Sequence, residues 1–169
     1  DILIKLTDWK NNGNKKPLLL KGARQVGKTT ILKEFGNAFF SRCHYVNFEE
    51  NENLSVIFEK DLNPKRITQE LSFVVESSIK PEKDLLVLDE IQACPKALTA
   101  LKYFAEKLPA FAVCAAGSLL GLALGQSSFP VGKIQFLDMF PMCFEEFLEG
   151  IGQDRHAGLL RNLSLQGEI

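Results

Sequence analysis

Leu18-Leu19-Leu20-Lys21-Gly22-Ala23-Arg24-Gln25-Val26-Gly27-Lys28-Thr29-Thr30 decides the reading of this chain. It opens on an apolar run. It passes through a loop bearing two glycines. It leads into Ile31, Leu32, Phe35 and Phe39, which share one helical face. Residues 22–29 match GxxxxGK[ST], in the order strand, loop, helix that the motif needs. In such a loop successive backbone N–H groups turn inward around an anion, and the helix N-terminus adds partial positive charge. Gly22 and Gly27 let the backbone approach phosphates with no Cβ in the way. Lys28 sets a compact cation at the β- and γ-phosphates, and the Thr29 hydroxyl can coordinate Mg²⁺. The expected cradle is Gly22, Ala23, Arg24, Gln25, Val26, Gly27, Lys28, Thr29 and Thr30. The competing reading is a surface turn with a capping threonine.

Outward from this loop, short apolar runs alternate with amphipathic stretches, the rhythm of an α/β fold. Helical spacing covers residues 1–10, 29–40, 66–79, 96–108 and 144–148, with Asn11-Asn12-Gly13-Asn14 breaking the first of these. Strands are expected at 17–20, 44–48, 85–88, 111–116 and 133–137. Leu85-Leu86-Val87-Leu88 has no polar side, as a central strand covered on both faces requires. Gly150 and Gly152 close the last short helix, and residues 153–169 are weakly patterned.

The 169 residues suit one domain or slightly more, and 46% hydrophobic with 24% charged residues is ordinary globular composition. Disordered, collagen-like and disulfide-miniprotein classes are thereby excluded. Twenty basic and 21 acidic residues leave a net charge of −1, so nucleic-acid binding by raw charge finds no support. Cys43, Cys94, Cys114 and Cys143 form no CxxC pair, which reads as reduced thiols in a cytoplasmic protein. The longest apolar stretch, residues 110–125, is interrupted by Gly117, Ser118 and Gly121 and is too short to span a membrane. The chain begins at Asp1 with no initiator Met and no signal peptide, so it reads as part of a longer protein.

Asp89-Glu90 follows the apolar run 85–88, 60 positions after Thr29. A carboxylate at a strand end beside the phosphate loop is a rigid magnesium partner. Asp89 would hold Mg²⁺, with Thr29 as the second protein ligand, and Glu90 would polarise an attacking water. The competing reading is an acidic pair at a surface strand end. The strand at 44–48 lies between the phosphate loop and Asp89 in sequence, which gives an expected order 5-1-4-3-2. That is the arrangement of P-loop ATPases with an additional catalytic glutamate. No Asn-Lys-x-Asp guanine motif and no Leu-Ser-Gly-Gly-Gln signature occurs. Ser118, after the fourth strand, either touches the γ-phosphate or lytic water or caps the helix that follows, or both. Asn47 either hydrogen-bonds Glu90 and holds it inactive or closes a turn. Glu49 and Glu50 read as solvated.

The segments 18–30, Asn47-Phe48-Glu49, Leu88-Asp89-Glu90-Ile91-Gln92, 115–121, 128–132 and Phe144-Glu145-Glu146-Phe147-Leu148 occur in that order. Together they resemble the prokaryotic AAA-domain ATPases of the origin-recognition/STAND-like branch, over about residues 1–150. The resemblance implies a three-layer αβα sandwich, ATP rather than GTP, Mg²⁺ and a cytoplasmic setting. It makes residues 1–150 an ATP-binding core and 151–169 the weakly structured start of a truncated C-terminal region. Such proteins usually continue into a winged-helix-like region and a C-terminal domain of unknown function resembling restriction endonucleases. Two positions depart from the family pattern. Lys133 stands where Arg is frequent. Cys143 stands where Ser commonly caps the next helix, at a cost of about 1 kcal/mol.

The expected activity is Mg-dependent ATP hydrolysis through Lys28 and Glu90, with Ser118 and Asn47 as accessory groups. Only five arginines exist (24, 42, 66, 155 and 161), and none is an obvious arginine finger. A finger is worth about 10³–10⁵ in rate, so the chain alone should be slow and self-association should supply one in trans. A catalytically idle ATP-binding switch module is the alternative. A small-molecule P-loop kinase, with Arg155 and Arg161 on a lid, is a further one. The adenine side is expected before Leu18, near Trp9.

Overall fold

The computed structural model describes residues 2–13, 15–51, 53–118 and 132–166, with side chains through Leu160. Its elements run α1 (Ile2–Asn11), β1 (Leu18–Lys21), α2 (Lys28–Phe39), β2 (Cys43–Asn47), α3 (Leu54–Lys60), α4 (Pro64–Val74) and β3 (Leu85–Asp89). A 3₁₀ turn (Ile91–Ala93), α5 (Pro95–Lys107), β4 (Ala112–Gly117), β5 (Gln135–Asp138), α6 (Phe144–Gly150) and α7 (Asp154–Gln166) follow. The sheet has the order β2-β3-β4-β1-β5, the expected order read from the other edge. Every pairing is parallel.

Parallel strands need crossovers, and among the described residues those joining β1 to β2, β2 to β3 and β3 to β4 are helices that cover both faces. On one face Leu18, Leu20, Leu85, Val87, Ala112, Cys114 and Ala116 pack with Leu6 and Trp9 of α1 and Leu32 and Phe35 of α2. On the other, Leu19, Val46, Leu86, Leu88, Val113 and Ala115 pack with apolar residues of α3, α4 and α5. Burial on both sides is why β3 and β4 carry no polar face, each being buried throughout. The sandwich has three layers. The phosphate loop and Asp89 both lie at the carboxyl ends of the strands, where open α/β sheets bind ligands.

Trp9, near which the adenine side is expected, is a buried core residue. Its ring is 2% exposed and packs on Phe35, and its indole N–H donates to the Lys16 carbonyl at 2.7 Å. It ties α1 onto α2.

Two helices differ from the periodic reading. The helix expected over 66–79 begins at Pro64 and ends at Val74. Asn63 caps its start by accepting the Lys65 N–H, and Glu76 takes a left-handed conformation just past its end (φ 49°). Helix α3 has only seven residues, too few for a period to register, although Leu54, Ile57 and Phe58 bury one face. Arg66 fastens these two helices. It donates to the carbonyls of Ile57 and Asp61 at 2.7 Å each and pairs with Asp61 and Glu70. This arginine is consumed by structure.

Residues 140–169 form a second compact unit. Within it α6 and α7 pack on each other, so a helix covers most of the weakly patterned end. The first turn of α7 starts with Asp154, a favourable charge at a helix N-terminus. The side chain of Glu146 accepts the Cys143 N–H at 2.9 Å and the Cys143 sulfur accepts the Glu146 N–H, so a capping box forms with cysteine in the place of the serine. Among the described residues all four cysteines are free, two of them buried, and Lys133 pairs with Glu106. No helix of the described residues is long and apolar enough to cross a membrane.

Gly36 sets how closely α2 lies on the sheet. A Cβ there would collide with Cys43 Sγ and stand 2.7 Å from Cys43 Cβ and 3.1 Å from Leu85 Cδ2. Gly36→Ala is therefore expected to destabilise the chain by about 1–3 kcal/mol despite alanine's better helix propensity, lowering Tm by about 3–10 °C. Gly150→Ala, which faces open space, should leave Tm unchanged or raise it. A melting curve for Gly36→Ala matching the parent would overturn this account.

Candidate functional site

The site is built from the carboxyl ends of β1, β3 and β4. Strand β4 lies between the other two, and Gly117 stands beside Lys21 while Leu88 stands beside Ala115. Ser118 therefore emerges between the phosphate loop and Asp89. Its hydroxyl oxygen is buried and has no hydrogen-bond partner among the described residues. Its capping alternative involves residues 119–131, which lie outside the described set, as do parts of the segments 115–121 and 128–132.

Gln25 and Gly27 take left-handed backbone conformations (φ 62° and 93°), so the loop curls before α2 starts at Lys28. Gly22 has no room for a side chain, since a Cβ would collide with the Met139 carbonyl oxygen and lie 3.2 Å from Val26 Cγ2. Lys28 is 5% exposed. Its ammonium folds back on its own loop, donating to the carbonyls of Gly22 at 3.0 Å and Ala23 at 2.6 Å. Two of its three hydrogens are thus placed, with no anionic partner among the described residues.

Asp89 is 1% exposed, and its carboxylate accepts three hydrogen bonds. Thr29 Oγ1 donates to its Oδ2 at 2.5 Å, joining the phosphate loop to the end of β3. The Tyr45 hydroxyl donates to the same oxygen at 2.9 Å, and the Glu90 N–H donates to Oδ1 at 2.9 Å. Burial first, and then the neighbouring Asp89 carboxylate, push the Tyr45 hydroxyl above its ordinary value and keep it a donor. The Lys33 ammonium sits 3.5 Å from the centre of the Tyr45 ring. Residues Thr29 and Asp89 fit Mg²⁺. A hydroxyl and a carboxylate oxygen are hard ligands, and this ion takes one or two protein oxygens with phosphates and water completing its shell.

Glu90 is half-buried and left-handed (φ 49°, ψ 45°), and Gln92 Nε2 donates to its Oε2 at 2.6 Å. Asn47 does not hold Glu90, which corrects that expectation. Its carbonyl oxygen accepts the N–H groups of Glu49 and Glu50, and its amide donates to Glu50 Oε1 at 3.0 Å and lies 3.3 Å from the Tyr45 hydroxyl. Asn47 is a turn-closing residue after β2, the second of its two readings. Glu49 is exposed, as expected, and it also accepts from Arg24 at 3.4 Å and from Gln92 at 3.3 Å. Arg24 is otherwise exposed.

Sequence reasoning thus brought together Gly22, Gly27, Lys28, Thr29, Asp89 and Ser118, and it missed Tyr45, Gln92 and Glu49. Tyr45 had a signal. It lies two residues before Asn47, and strand alternation sets both on the face that Asn47 shares with its partner Asp89. Gln92 had none, because a three-residue turn has no periodicity.

The family model described as an AAA domain matches residues 14–148, and the chain belongs to that family. It is a P-loop ATPase nucleotide-binding module. No curated protein matches it. Among solved structures it is similar to AMPPCP-bound DnaA from Aquifex aeolicus, at 16% identity and a TM-score of 0.52. The match covers 89% of this chain and 48% of that one, so this chain spans about half the length of that DnaA chain. At this identity the likeness speaks for the fold alone.

Gly22→Ala is expected to push the loop off the Met139 backbone and weaken ATP binding at least about tenfold, read by calorimetry beside a melting curve. Undiminished affinity in a folded Gly22→Ala protein would show that the loop does not need this close approach.

Proposed function

We propose that this chain is the core of a longer prokaryotic, cytoplasmic ATPase that binds Mg·ATP and hydrolyses it slowly on its own. The observation that carries this reading is the convergence of Lys28, Thr29, Asp89 and the unpartnered Ser118 hydroxyl at one end of the sheet. A nucleotide-bound state is on record for the DnaA structure that shares the fold. In this reading the loop amides, Gly22 to Thr30, take the phosphates. Lys28 exchanges its loop carbonyls for the β- and γ-phosphate oxygens, and Thr29 and Asp89 are the residues that would hold Mg²⁺, which would supply charge neutralisation to the phosphates.

Glu90 then accepts a proton from a water as that water's oxygen attacks the γ-phosphorus. The bond to the bridging oxygen breaks, and ADP leaves with that electron pair. Ser118 offers its hydroxyl to the γ-phosphate or the water. Residues 1–150 are the core in this reading, and 151–169 begin a C-terminal region of the kind found in the origin-recognition/STAND-like branch. Arg66 is locked between α3 and α4, and Arg42 donates to Ser77. Both are engaged in the same way in any copy, so a finger supplied by a second copy would come from one of the other three arginines.

Glu90→Gln should keep ATP affinity and lose about 10²–10⁴ in hydrolysis, the worth of a positioned base. Lys28→Ala should lose binding. An unchanged phosphate-release rate in Glu90→Gln would favour an idle binding module. Phosphate transfer only to an added acceptor would favour a kinase. The parent chain alone should turn over well below one ATP per second, and a rate near that value would refute the need for an outside finger.

A further inference from the structure

Glu90 is the group on which hydrolysis is proposed to depend, and among the described residues its side chain is hydrogen-bonded by a residue two positions away. Gln92 Nε2 approaches Glu90 Oε2 to 2.6 Å, a close contact for an amide donor. The left-handed backbone of Glu90, uncommon for a residue with a side chain, lies between β3 and the 3₁₀ turn that carries Gln92. The two side chains meet across that bend.

The same amide nitrogen lies 3.3 Å from Glu49 Oε1. Gln92 thus stands between two carboxylates, close to one and distant from the other. Its own Oε1 is buried without a donor among the described residues. Turning the amide over would set that oxygen against both carboxylates, so charge fixes its orientation. A side chain that leaves its acceptor unpartnered while its donor bridges two acids is held by those acids. Glu49 in turn accepts from Arg24 of the phosphate loop, so a line of contacts runs from that loop to Glu90.

We infer that Gln92, not Asn47, is the positioning residue of Glu90: its amide fixes the direction of the carboxylate, and Glu49 and Arg24 tie that amide to the phosphate loop. The inference rests on the reading of Glu90 as the water-activating base. It assigns Gln92 no contact with the reacting atoms.

The test compares the full chain with Glu90→Gln, Gln92→Ala and Gln92→Glu, by calorimetric ATP binding and single-turnover Mg·ATP hydrolysis. Gln92→Ala should bind ATP within about threefold of the parent and hydrolyse it about 10–100-fold more slowly, the scale of a misdirected catalytic group. Gln92→Glu, which replaces the donor by a like charge, should be slower still. Without nucleotide, the Gln92 side-chain amide proton should resonate downfield in the parent and move upfield in Glu90→Gln, a readout that alters no residue but Glu90. Hydrolysis by folded Gln92→Ala within twofold of the parent, with Glu90→Gln strongly impaired, would overturn the role of Gln92 alone. An amide signal unmoved by Glu90→Gln would do the same. Parent-like hydrolysis by Glu90→Gln would instead overturn the functional reading, and this inference with it.

Discussion

One contact organises the site: the Thr29 hydroxyl on the buried carboxylate of Asp89, at 2.5 Å. The two residues belong to elements that are not neighbours in the sheet, because β4 separates β1 from β3. Without an insertion of one strand between them, the loop after β1 would have no acidic strand end across from it with space between. The parallel arrangement places all the carboxyl ends on one side, and the two-sided core holds the strands there. Position at this site is therefore a consequence of burial elsewhere.

Asp89 is nearly inaccessible, and an isolated carboxylate in such a place would be strongly disfavoured. It is kept by three donors: Thr29, Tyr45 and the Glu90 N–H. Hydrogen bonds to the charged form favour that form. They also fix the direction of both oxygens, so a metal partner held here would meet a carboxylate already oriented. Tyr45 plays this part from the edge strand, against the ammonium of Lys33. His44, one residue earlier, points to the other side of the strand and meets Asp84 at 3.0 Å, a buried pair at the far end of β3. Alternate residues of β2 thus serve the two ends of its neighbour.

Much of this was legible in the residues. The apolar run 85–88 announced a central strand, and 18–30 announced strand, loop and helix, since both signals come from short-range spacing that burial imposes. The strand order followed from where 44–48 falls in the chain. What failed to register was set by contacts remote in sequence or by elements too short for a period. Helix α3 has seven residues, the early end of α4 depends on the bend at Val75 and Glu76, and the burial of Trp9 depends on Phe35. The hydrogen-bond partner of Glu90 did not register for a similar reason. Asn47 does stand beside Asp89 in the sheet, but its side chain is consumed by the N–H groups of its own turn.

The molecule concentrates its unsatisfied features at one end. Among the described residues, the buried side-chain polar atoms without partners are Gln92 Oε1 and Ser118 Oγ. Of the three described residues other than glycine with positive φ, Gln25 and Glu90 lie here, and Glu76 closes α4. Each such feature costs on the order of 1–3 kcal/mol. The core around Leu19, Leu86 and Phe58 carries none of them, and it supplies the stability that tolerates them. A sequence that is locally consistent nearly everywhere and inconsistent in one place marks that place as functional. Here the inconsistency has a definite chemistry: among the described residues, an ammonium bonded only to its own loop's carbonyls, and a hydroxyl without a partner between that loop and a braced carboxylate. A polyanion would offset both at once. A neutral ligand would leave the ammonium where it is.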